Sequence, residues 1–214
     1  LKIKGLNMKK IVTILFTSLF FMSTAYAGGM IGVKAGMGEL DGTRTSSTEL
    51  SGSKTGSVDS EYAAIFAEAN VSDIISLGFE LVPLTGMIST TDTTATDSKV
   101  TVKNLKTLYV LASRETSFGS VYGKLGYASA DITPQSNYGH TFTNASDALE
   151  GPMFGIGAQF SIPTPLINTL RLEATHTIFD DVSVTSTDSD GVNSDTRTGE
   201  AELTTFSISL ARAF

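Results

Sequence analysis

Few side chains in this 214-residue chain could attack an electrophile, move a proton or hold a metal. It contains no Cys, which removes thiolate nucleophiles, Cys-bound metals and disulfides. Its two histidines are His140 and His176. A hydrolytic triad needs a nucleophile, a base and an orienting acid within reach of one another. His176 is followed by Thr177 and Ile178, with no His-x-Ser pattern, so no catalytic role is assigned and no enzymatic activity is expected. The run Asp188-Ser189-Asp190-Gly191-Val192-Asn193-Ser194-Asp195 looks like part of a calcium loop. It lacks the third early acid before the glycine and the Glu at the twelfth position. It is read as an acidic solvated loop, with weak divalent binding at most. Gly155 and Gly157 precede no helix, so a nucleotide-binding loop is excluded. No catalytic, cofactor or metal residue is expected.

The charged residues carry more information. Lys34, Glu68, Glu80, Lys106, Lys124, Arg171 and Glu173 each stand in a segment of alternating polarity, opposite its apolar face. If that polar face is enclosed, single charges would be costly and must pair with one another. Four basic and three acidic groups from different segments could do so.

Eight segments have to position them. In Met30 to Leu40, Ile31, Val33, Ala35 and Met37 oppose Gly32, Lys34, Gly36 and Gly38. In Tyr62 to Val71 an Ala/Ile face opposes Tyr62, Phe66 and Glu68, and in Ile75 to Leu84 the face of Leu77 and Phe79 opposes Gly78 and Glu80. Val100 to Ser113 is less regular. There Leu105, Thr107, Tyr109 and Leu111 are read as the apolar face, against Lys106, Leu108 and Val110. Ser120 to Ala130, Pro152 to Ile162, Thr169 to Phe179 and Leu203 to Phe214 complete the set. Strands of about ten residues cross a bilayer at a tilt, and an even number can close into a barrel.

The links alternate too. Those near Asp41–Glu61, Ser89–Lys99, Asp131–Glu150 and Asp180–Ala201 are long and rich in Ser, Thr and Asp. Those near Ser72–Asp73, Arg114–Gly119 and Pro163–Asn168 are short. Short turns on one side of a membrane and long loops on the other produce this asymmetry. Pro134, Pro163 and Pro165 fall in links, as a barrel requires.

The N-terminus differs in kind. Lys2, Lys4, Lys9 and Lys10 precede the apolar stretch Ile11 to Met22, and Ala25-Tyr26-Ala27 offers a small-x-small cleavage site at Ala25 and Ala27. The apolar stretch is shorter than the roughly 20 residues of a spanning helix. Residues 1–27 are therefore expected to be a cleaved signal peptide, with Met8 as the true start, and residues 28–214 the mature domain. Residues 1–27 hold four Lys and no acid, so cleavage takes the net charge from −7 to −11. That balance argues against nucleic-acid binding. A membrane protein without another long apolar run must cross as a closed barrel.

Alternation alone does not say which face points outward, since a soluble ligand-binding barrel is apolar inside. The signal peptide and the final strand favour the membrane version. The carriers of a family resemblance are Gly123-Lys124-Leu125-Gly126-Tyr127, Gly155-Ile156-Gly157-Ala158-Gln159-Phe160, Leu170-Arg171-Leu172-Glu173 and the closing Ser207-Ile208-Ser209-Leu210-Ala211-Arg212-Ala213-Phe214. In their order and spacing, residues 28–214 resemble the small outer-membrane β-barrel superfamily of OmpA-like and OmpX-like type.

The resemblance implies an all-β, eight-stranded antiparallel up-and-down transmembrane β-barrel, exported through the periplasm to a bacterial outer membrane. It implies that Phe206, Ile208, Leu210 and Phe214 form the signal read by the barrel-assembly machinery. Arg212 departs from the aromatic commoner at its position. No cofactor is implied. The expected partners are outer-membrane lipid, lipopolysaccharide, that machinery and a surface ligand of the external loops. The expected role is structural or surface-interacting, with a plugged polar lumen. The alternative is a narrow porin-like pore for ions or small solutes.

Overall fold

The computed structural model describes residues 28–46, 54–83, 86–90, 98–136, 141–143, 148–187 and 194–214. The expected signal peptide, with Met8, Ala25 and Ala27, lies outside the described residues, as do His140 and most of the calcium-like run at 188–195.

The described residues form one antiparallel sheet built from β1 (Gly29–Ser46), β2 (Lys54–Asn70), β3 (Ile75–Val82), β4 (Gly86–Thr90), β5 (Ser98–Thr116), β6 (Gly119–Ser136), β7 (Thr141–Thr143), β8 (Ala148–Ser161), β9 (Thr169–Thr187) and β10 (Ser194–Ala213). β4 continues β3 along β5, and β7 precedes β8 along β9. Among the described residues the wall thus has eight staves, each paired to its chain neighbour, and β10 closes on β1. Closure matters because an unpaired strand edge cannot be left in hydrocarbon.

Register fixes the shape. Directly opposed residues lead from Gly29 through Ala69, Leu77, Val110, Leu125, Phe154, His176 and Thr204 to Glu39. One circuit therefore ends ten residues further along β1. Strand number and stagger together set tilt and width, and eight strands leave an interior that side chains can fill.

The seam is tied at the end that carries the short turns. Gly29 N–H donates to Phe214 O at 2.9 Å, and Phe214 N–H donates back to Gly29 O at 3.0 Å. The Asn168 side chain from the β8–β9 turn accepts from Ala213 N–H at 2.7 Å and donates to Ala213 O at 2.9 Å. At the other end the strands outrun the lengths expected from alternation. β1 continues to Ser46 and β9 to Thr187, so the bases of the long polar links are wall rather than loop.

The outer face is apolar. Ile31, Val33, Met37, Leu125, Ile156 and Phe206 are all exposed. So large an exposed apolar belt on a closed barrel matches the lipid-facing band of a membrane barrel, not a water-facing surface. Phe118, Phe160 and Phe214 border it at the turn end, with Phe118 and Phe160 ring centroids 6.3 Å apart.

β5 corrects one expectation. Its Thr107, Tyr109 and Leu111 are buried in the lumen, whereas Lys106, Val110 and Ala112 are exposed on the outside. A bulge between Lys103 and Lys106, with Asn104 at φ 54°, resets the strand there. Asn adopts the left-handed region more readily than most residues. Below the bulge both faces of β5 are apolar enough that Lys106 alone had set the assignment.

Candidate functional site

The lumen is where the charges meet. Lys34 on β1, Glu68 on β2, Glu80 on β3, Lys124 on β6, and Arg171 and Glu173 on β9 are all buried there. Lys34 Nζ lies 2.5 Å from both Glu80 Oε2 and Glu173 Oε1. Lys124 Nζ reaches the same two carboxylates at 3.0 and 3.1 Å. Two ammonium groups and two carboxylates thus alternate in one closed cluster. Beside it, Arg171 grips Glu68 with both terminal nitrogens, at 2.6 and 2.7 Å. Such a planar two-point pairing is stronger and more directional than a single contact.

Neutral side chains satisfy the remaining polar atoms. Tyr109 OH donates to Glu68 at 2.7 Å, Tyr122 OH donates to Glu173 at 3.0 Å, and Arg171 Nε donates to Gln159 at 2.8 Å. Lys124 Nζ also stands 3.8 Å from the Tyr109 ring centroid, and the Arg171 guanidinium 5.1 Å from that of Tyr122. Three cations and three anions sum to zero, so the cluster bridges the lumen without net charge. This satisfies the condition for tolerable buried charge: paired, and with its remaining hydrogen bonds made.

Room for these rings comes from glycines on the facing strand. Gly78 pairs with Tyr109 and Gly157 with Tyr122. A Cβ on either glycine would stand 2.3 Å from the tyrosine ring, closer than atoms approach. Gly32 opposite Phe66 and Gly36 opposite Tyr62 repeat the arrangement. β10 contributes only small groups at this level, including Ser209 and Ala211.

Of the seven charges singled out in the sequence, Lys106 alone stays apart, exposed on the outer wall. Sequence reasoning missed Tyr109, assigned to the other face, and gave no role to Tyr122 or Gln159. The signal for the tyrosines was present as Gly78 and Gly157, but it becomes readable only once strand register is known.

Above the cluster, toward the long links, the lumen changes character. A cavity of about 110 Å3 opens there, with Glu80, Lys124 and Tyr62 among its lining residues. Its walls include Leu40, Val82, Leu105, Leu149, Phe179 and Leu203, with a set of threonines between them. Thr205 bonds to Thr175 at 2.7 Å and accepts from Tyr62 OH at 3.3 Å.

On the outside, His176 Nδ1 lies 3.0 Å from Thr204 Oγ1, and its Nε2 lies 3.7 Å from Glu202. The histidine therefore has neighbours that its sequence context did not announce. Thr204 is the cross-strand partner of His176 on the neighbouring strand. The four residues of the expected assembly signal, Phe206, Ile208, Leu210 and Phe214, are exposed at the closing strand. Arg212 beside them donates to the carbonyl of Pro165. Among the described residues no group of acidic and histidine side chains is placed to hold a metal ion.

Closed antiparallel staves, an apolar exterior and a charged interior define an outer-membrane-type β-barrel. Solved structures agree at the level of fold. The outer membrane protein OprG from Pseudomonas aeruginosa superposes with a TM-score of 0.64 at 11% identity, over 86% of this chain and 96% of that one. Outer membrane protein AlkL in lipid bilayers superposes at 0.54 with 13% identity, over 90% of this chain and 93% of that one. No family model matches the sequence, and no curated protein is significantly similar to it.

Proposed function

We propose that the protein is a non-conducting scaffold of the bacterial outer membrane, which holds its polar loops at the cell surface. The observation that carries this reading is the neutral cluster of Lys34, Glu80, Lys124 and Glu173 with the adjoining Arg171–Glu68 pair. These side chains come from five staves and bridge across the lumen at bonding distance. An ion crossing would have to displace partners that cannot be rehydrated in so narrow an interior. The apolar exterior supports residence in lipid. The exposed Phe206, Ile208, Leu210 and Phe214 on the last strand support reading by the assembly machinery. With the turns on the periplasmic side, the extended staves at the other end would carry the loops toward lipopolysaccharide and a surface ligand.

Planar-bilayer recording of the refolded chain, checked for folding by a heat-modifiable gel band, tests the proposal. A folded protein without reproducible conductance is the expected result. Stepwise channels that change when Glu80 or Arg171 is replaced would overturn it in favour of a narrow pore.

A further inference from the structure

The cavity above the charged cluster contains an unanswered polar demand. Thr107 and Thr177 line it and are only 7% and 4% exposed. Among the described residues neither hydroxyl has a hydrogen-bond partner, unlike Thr175 and Thr205, which bond each other. A buried hydroxyl without a partner costs free energy that the fold does not recover by itself. Around these two hydroxyls the wall is aliphatic and aromatic, with Leu105, Leu149, Phe179 and Leu203 among the lining side chains. Burying an apolar body and answering one or two hydroxyls calls for a particular kind of guest.

We infer that this cavity is a binding site for a small neutral alcohol or phenol, of about the size of a six-membered ring. Size supports the choice. The cavity of about 110 Å3 compares with the ~150 Å3 engineered apolar cavity that accepts benzene. Charge supports it as well. The floor offers no unpaired charge, because Glu80 is engaged by Lys34 and Lys124. Glu61 and Lys103 also border the cavity but are exposed, so an ionic guest seated on the floor would find no free counter-ion beside it, and a pure hydrocarbon would leave the threonines unanswered. The ligand's hydroxyl would donate to or accept from Thr107 or Thr177, with its ring against Phe179 and the leucines. The inference rests on the closed floor of the proposed plug, which makes the space a cup and not a passage.

The test uses the full chain refolded in dodecylphosphocholine micelles, with 4-fluorophenol as probe and fluorobenzene as its hydroxyl-free counterpart, both followed by fluorine NMR. A saturable single-site shift with 4-fluorophenol is expected. Replacing both Thr107→Val and Thr177→Val should weaken fluorophenol about tenfold, the scale of a lost buried hydrogen bond, and leave fluorobenzene unchanged. Leu203→Trp, which fills the cup, should abolish saturable binding of both. If that variant does not fold, contacts from the bound fluorine to Phe179 and Leu149 protons in the unaltered chain report the same location. Shifts that grow linearly, as in empty micelles, would overturn the inference. So would equal weakening of both probes by the valine pair, or absence of those contacts. Conductance separates this inference from the plug: a conducting barrel that still binds fluorophenol loses the plug and keeps the site, and a silent barrel that does not bind keeps only the plug.

Discussion

The two halves of the lumen obey the same alternation and are filled in opposite ways. Toward the turns, every inward charge has a partner at bonding distance, and tyrosines lie flat over glycines. Toward the long links, the inward positions are leucines, a phenylalanine and threonines, and space remains between them. The lower half resembles a protein interior in which complementarity is complete. The upper half resembles a binding cavity in which it is left open. An eight-stranded barrel is therefore not closed by its strand number alone. Side chains bridge it where long charged groups meet across it, and leave space where shorter ones line it.

The sharpest break in the comparison should come from the steric fit of the lower half. Gly157→Leu would drive a side chain into the Tyr122 ring and the Leu172 carbonyl, at 2.3 and 2.7 Å from the new Cβ. Loss of the heat-modifiable folded band on a gel is the expected outcome. An equally folded variant would mean that the tyrosine has somewhere else to go.

Next in size is the charge pairing. Glu68→Ala leaves Arg171 buried without its carboxylate, which should cost about 3–5 kcal/mol in urea unfolding from lipid vesicles. It should also bring in a measurable ion current. Replacing both partners, Glu68→Met with Arg171→Met, should recover most of that stability, because neither charge is then stranded. Since the chain has no Trp, far-UV circular dichroism or tyrosine fluorescence would follow the transition. A pair variant as unstable as the single one would show that the arginine is held by more than its carboxylate.

In the upper half the sign should reverse. Thr177→Val removes a buried hydroxyl that has no partner, and should stabilise the ligand-free barrel by roughly 1 kcal/mol. Destabilisation by that change would mean the hydroxyl is satisfied, and would weaken the contrast between the halves. The smallest effect is expected at Lys106, exposed on the outer wall. Lys106→Ala should change stability by less than about 0.5 kcal/mol, as is usual for an exposed site. Lys124→Ala in the same assay should be far more damaging, because it strips Glu80 and Glu173 of a shared cation.

Much of this molecule was legible as a string. Alternation marked the staves, the short and long links marked the two ends, and which residues share a face was readable wherever a segment had one apolar and one polar side, as in Met30 to Leu40 or Thr169 to Phe179. β5 was the exception, for a physical reason. Tyr109 and Leu111 read as lipid-facing because they are apolar, yet a tyrosine can enter a polar lumen when its hydroxyl finds a carboxylate and its ring finds a glycine. Neither partner is near it in sequence: Glu68 lies 41 residues away.

The sequence alone thus determined class and environment: an alternating eight-segment chain with charges on one face and hydrocarbon on the other. Period-two patterning is local, and it needs no knowledge of which strand lies beside which. Only the tertiary structure decided which carboxylate meets which cation, that Lys106 stands outside, and that two threonines border a space with no partner. Those outcomes depend on register and stagger, which are properties of pairs of distant strands and of the closed circuit.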